Sequence, residues 1–85
     1  MPTLSMFYGI IIRMFFDDHN PPHFHAEYQG FKGVFDLEGE LIEGDIPLKQ
    51  CKLITAWAQI HNDELKGNWV LAKQDEPLYK IEPLK

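Results

Sequence analysis

The chain has 85 residues, enough for one small domain over 1–85 with a thin core, and its 45% hydrophobic and 25% charged content excludes a disordered polypeptide. Thirteen acidic against eight basic residues leave a net charge of −5, which argues against direct DNA binding, where clustered cations must neutralise phosphates. The lone cysteine, Cys51, excludes an internal disulfide framework, no apolar run approaches the roughly 20 residues that cross a bilayer, and Met1–Ser5 lacks the basic start of a secretory signal, so a cytoplasmic protein is expected.

Phe7 to Phe16 is nearly continuous apolar sequence, rich in aromatic and β-branched residues with Arg13 as its one charge, and reads as a buried strand. Asp17-Asp18-His19-Asn20-Pro21-Pro22 breaks it, with two prolines to aim the chain and room for one cis bond. From His23 to Tyr28 the pattern alternates, placing His23, His25 and Glu27 on one face and Phe24, Ala26 and Tyr28 on the other. Gln29–Gly33 turns into a strand from Val34 to Glu38, and Glu38-Gly39-Glu40 reverses into another from Leu41 to Glu43. The period then changes. Asp45 is the expected N-cap and Pro47 a first-turn residue of a helix from Leu48 to His61, whose stripe runs through Cys51, Ile54, Trp57 and Ala58. Asn62 or Asp63 caps a second helix with Leu65, Trp69 and Ala72 on one face, although Gly67 weakens it by ~1 kcal/mol relative to alanine. Leu78–Ile81 reads as a short returning strand. The expected fold is therefore α+β: an antiparallel meander of three to four strands with one or two C-terminal helices packed on one face.

Chemistry concentrates between Asp17 and Glu27, where three of the four histidines lie beside three carboxylates. On a strand, His23 and His25 project from one face with Cα atoms ~7 Å apart, which two ligands of one ion can span. His19, Asp18 and Glu27 are the remaining candidate ligands, and the set suits a divalent transition metal such as Zn, Fe or Ni. Without a metal, His19, His23 and His25 are candidate catalytic residues for general acid–base work near neutral pH. The Met1 amine is a further potential ligand. A polar cluster that only stabilises the turn, or faces a partner, fits the same residues. His61, Cys51, Trp57 and Trp69 sit at core spacing and read as packing residues, and Ser5 has no nucleophile motif around it. Asp36, Glu38, Glu40, Glu43 and Asp45 form an acidic run without an intervening cation, either a solvated hairpin or, with Phe31 near its tip, a surface for a basic protein partner.

Met1–Ile10, followed by Asp18-His19-Asn20-Pro21-Pro22-His23-Phe24-His25, resembles the small bacterial proteins grouped as domain of unknown function 4160. Gly44-Asp45-Ile46-Pro47, Trp57, His61, Glu64-Leu65, Asn68-Trp69 and Ile81-Glu82-Pro83-Leu84 are similar to the same pattern. The resemblance carries no established activity. It implies a partner encoded by an adjacent gene, in an arrangement like a two-gene toxin–antitoxin module, and it marks His19, His23 and His25 as the family's polar signature. Three functions stand after this reading: a partner-binding component, also compatible with a homodimer; a small metal-dependent or general acid–base hydrolase acting on RNA or another phosphoester; and a simple metal or small-ligand binder without turnover.

Overall fold

In the computed structural model, which describes residues 2–16 and 18–85, five strands precede two helices: β1 (Thr3–Phe7), β2 (Ile10–Arg13), β3 (His23–Tyr28), β4 (Phe31–Asp36), β5 (Leu41–Asp45), α1 (Leu48–Ile60) and α2 (Asn62–Lys73). The Met1 amine and Asp17 lie outside the described residues. The meander is as expected, with sheet order β1-β2-β3-β4-β5 and antiparallel neighbours throughout. The strand count exceeds the expected three to four because Phe7–Phe16 is not one strand. Tyr8 and Gly9 have φ of 49° and 78°, the doubly positive pair of a two-residue hairpin loop, and β1 begins upstream at Thr3.

Alternation along β2, β3 and β4 sends Ile10, Ile12, Phe24, Ala26 and Phe35 to one face, where they are buried with Ile54, Trp57, Ala58, Leu65 and Trp69 of the helices. The Trp57 ring lies 5.4 Å from Phe7 and 5.7 Å from Phe24, centroid to centroid. Two capping expectations fail for one reason each. Asp45 is held in the ladder opposite Lys32, so Pro47 becomes the N-cap of α1. The Asn62 side chain donates instead to the Leu37 carbonyl at 2.8 Å, and His61 occupies the N-cap of α2. Leu78–Ile81 is extended but is not a strand. One bond, Ile81 N–H to the Leu4 carbonyl at 2.8 Å, lays it beside β1, and the Asn68 amide brackets Tyr79, donating to its carbonyl and accepting its N–H. Cys51 is half-buried and its thiol donates to the Ile46 carbonyl, while burial, then the Asp45 charge, push its pKa up.

The turn between β4 and β5 is seated on α1. Asp36 Oδ1 accepts the N–H groups of Glu38 and Glu40, so this acid serves the turn, and Thr55 Oγ1 donates to the Gly39 carbonyl at 2.6 Å. Gly39 has φ 92°, and a Cβ there would lie 2.7 Å from the Thr55 Cα. Gly39→Ala should therefore cost about 2–4 kcal/mol in urea denaturation, combining left-handed strain with overpacking. Gly30→Ala, at φ 87° with nothing within 4 Å, should cost clearly less.

The sheet face away from the helices carries side chains in cross-strand rows. Arg13, His25, Val34 and Glu43 are successive Cα partners across β2 to β5, and Ile11, Glu27, Lys32 and Asp45 form the next row.

Candidate metal centre

The site lies where the connection from β2 reaches β3. Pro21 and Pro22 directly precede β3, eight residues after β2 has ended at Arg13, and the Asn20–Pro21 bond is cis. His23 opens β3 and is buried, 3% exposed, with its ring 5.3 Å from Trp69 of α2. His25, two residues on, is half-buried, with the Phe15 ring edge-on at 4.4 Å. Asp18 folds back over both. Its Oδ2 lies 2.8 Å from His23 Nε2 and 3.3 Å from His25 Nε2. The Lys73 ammonium, 5.8 Å from the Trp69 ring centroid, donates to the Asp18 carbonyl at 2.7 Å and ties this loop to the end of α2.

His23 Nδ1 lies 2.7 Å from the Pro21 carbonyl, which can only accept, so this nitrogen carries a hydrogen and donates. In a neutral ring Nε2 is then a bare lone pair aimed at a carboxylate oxygen. Two acceptors at that distance require a shared positive centre, a proton or a metal ion. One ligand atom from each of Asp18, His23 and His25 lies within 4.8 Å of the others. Ligands at about 2.1 Å from one ion sit roughly 3–4 Å apart, so small adjustments bring this set to a common cation. The Pro21 carbonyl fixes the tautomer and orientation of the His23 ring, as main-chain acceptors do for ligating histidines in metal sites.

Burial alone would push the Asp18 carboxyl up, but the His19 N–H, the rings of His25 and His23, and the charge of His23 outweigh it and hold the pKa below the ordinary value. A depressed folded pKa contributes stability that is present above the unfolded value near 3.9 and is lost as pH falls through the folded value. In metal-free protein, Asp18→Asn should therefore flatten the fall of the urea midpoint between about pH 5 and pH 2, measured against wild type.

Of the residues singled out from sequence, the structure brings Asp18, His23 and His25 together. It leaves His19 out of the converging set: this side chain is 83% exposed at the rim of the same hollow, its ring tilted against that of His23 at 5.1 Å. Glu27 shares the face with His25, but its carboxylate is bound by Arg13. Glu43, expected only on an acidic hairpin, lines with Val34 and Ile42 the hollow of about 240 Å³ that holds the three ligand atoms. A second hollow of about 390 Å³ shares His25, Val34 and Glu43 and extends past Phe15 and Lys32. Sequence reasoning missed Lys73, the Pro21 carbonyl and the Trp69 contact. No local pattern signals a bond spanning 55 residues, and Trp69 at helical spacing reads simply as core.

A family model described as "Domain of unknown function (DUF4160)" matches residues 9–70. No curated protein and no solved structure matches the chain.

Proposed function

The chain belongs to the DUF4160 family, whose description assigns no activity, and we propose from the site itself that this protein binds a divalent transition metal through Asp18, His23 and His25. The observation that carries the reading is the convergence of three acceptor atoms on one point, with His23 oriented by the Pro21 carbonyl. Two imidazoles and a carboxylate suit Zn, Fe or Ni, and three protein ligands leave coordination positions facing the hollow. A metal with open positions can polarise an ester and activate water. It would also supply the positive charge that a phosphoester such as RNA requires, since Lys32 is the one lysine lining the two hollows among the described residues and the chain's one arginine, Arg13, is paired with Glu27.

Titration of chelator-treated protein with Co²⁺ tests this. Wild type should develop visible absorption saturating at one ion per chain and a raised thermal midpoint. His23→Ala/His25→Ala should lose both while keeping its far-UV circular dichroism. If Co²⁺, Zn²⁺ and Ni²⁺ all leave the wild-type spectrum and midpoint unchanged, the metal reading is wrong.

A second reading, a partner-binding component of a two-gene, toxin–antitoxin-like module, is favoured by the exposure of Glu38, Glu40 and Glu43 together with Phe31, which is 41% exposed. Net charge −5 selects a basic partner. The described residues contain no helix long and apolar enough to cross a membrane.

A further inference from the structure

We infer that the outer edge of β5 is a strand-addition surface for a short, basic, extended segment of a partner protein. The inference rests on the partner-binding reading and states where and how the partner docks.

The two edges of the sheet are treated differently. Beside β1 runs the C-terminal tail, held by the Ile81–Leu4 bond and by the Asn68 bracket on Tyr79. Beside β5, the last strand in the order, the described residues place no further strand, and all five of its residues are exposed. Leu41 is 39% exposed and Ile42 50%. An open edge presents unpaired N–H and C=O groups and invites pairing, which proteins commonly guard against with charge. Here the guard has one sign. Glu40, Glu43 and Asp45 follow the edge, Glu38 stands at the turn, and the nearest cation in register, Lys32, sits one strand inward opposite Asp45.

That sign decides the occupant. A second copy pairing edge to edge would set like charges against one another, which is destabilising. A strand with lysine or arginine at alternate positions would set cations beside Glu43 and Asp45 while its backbone pairs with β5, so main-chain bonds give affinity and alternate side chains give selection. The ladder between β4 and β5 is irregular at Val34/Phe35, where Ile42 is the extra residue. A bulge increases local twist, so the edge suits a short segment rather than a long flat one. An added strand would lie about 4.8 Å outside β5. It would run beside Ile42 and Glu43, both of which line the hollow of the candidate metal centre, and would raise the wall of that hollow.

The probe is a short end-blocked peptide of alternating lysine and valine, with a glutamate–valine peptide as control, followed by amide hydrogen exchange. The lysine peptide should slow exchange of outward β5 amides by about tenfold at saturation, Glu40→Lys/Glu43→Lys should weaken its binding by at least about tenfold, and the control should not bind. Binding that perturbs only Glu38–Glu40, with β5 amides unprotected, overturns strand addition and leaves partner binding standing. Failure of the lysine peptide to bind at all overturns both. Self-association that protects β5 without any peptide overturns the choice of occupant.

Discussion

Asp18→Ala should abolish tight divalent-metal binding, lowering affinity by more than about 100-fold, because loss of an outer partner of a metal ligand already costs roughly 10- to 100-fold. Asp18 contributes the single anionic atom of the cluster, and its Oδ2 stands within 3.3 Å of both imidazole Nε2 atoms. Its removal leaves two neutral donors and an incomplete set. The same substitution should destabilise metal-free protein by about 1–3 kcal/mol, since a polar atom of the buried His23 ring loses its partner. His19→Ala is the contrast. That ring is solvent-exposed and outside the converging set, so it should change affinity by less than about threefold. Calorimetric titration with Zn²⁺ reads both. Equal affinities for wild type and Asp18→Ala would remove the centre from this loop. An effect of His19→Ala as large as that of Asp18→Ala would mean the loop closes over the ion differently.

The alternation of His23, Phe24, His25 and Ala26 made one half of the site legible in the sequence, because a strand has only two faces and the apolar residues claim one of them. The helices were legible for a similar reason: Leu48 to Ile60 repeats at the helical period and a proline marks its start. The first strand was misread because Tyr8-Gly9 lies inside an apolar run, where aromatic content outweighs a single glycine as a signal. What closes the site was not legible. The return of Asp18 over two imidazoles depends on the path of the proline turn, and the Lys73 bond to its carbonyl joins segments that meet only once α2 packs on the sheet. Charge patterning also misleads locally. Asp36 belongs to an acidic run yet is consumed by the backbone of its own turn, whereas Glu43 of the same run faces the hollow. Charge identity was visible from composition, but the face each charge takes follows from register.

Trp69 joins the core to the site, being buried among the helices and packed against the ring of His23. Any loosening of the helix layer should therefore register in metal affinity as well as in stability.

Trp57→Ala should be among the most destabilising single substitutions in the chain. The side chain is fully buried, contacts Phe7 and Phe24 from the sheet and His61 at the end of α1, and donates Nε1–H to the Glu82 carbonyl at 2.8 Å. Truncating a buried tryptophan costs about 3–5 kcal/mol through lost transfer energy and the cavity left behind. A chain of this length has on the order of 4–13 kcal/mol in total, scaled from about 0.05–0.15 kcal/mol per residue. The variant should lose roughly a quarter of that total at the upper end of stability and, near the lower end, fail to fold. Trp57→Phe separates the two contributions. It keeps a ring in the core but releases the tail at Glu82, so beyond its smaller packing loss it should cost about 1 kcal/mol for the hydrogen bond and speed amide exchange at Ile81, whose N–H is bonded to Leu4. Urea midpoints and exchange rates measure these effects. A Trp57→Ala protein with the wild-type midpoint would mean that the sheet and helices are not held by the core described, and a Trp57→Phe protein with unchanged exchange at Ile81 would mean that Asn68 alone secures the tail.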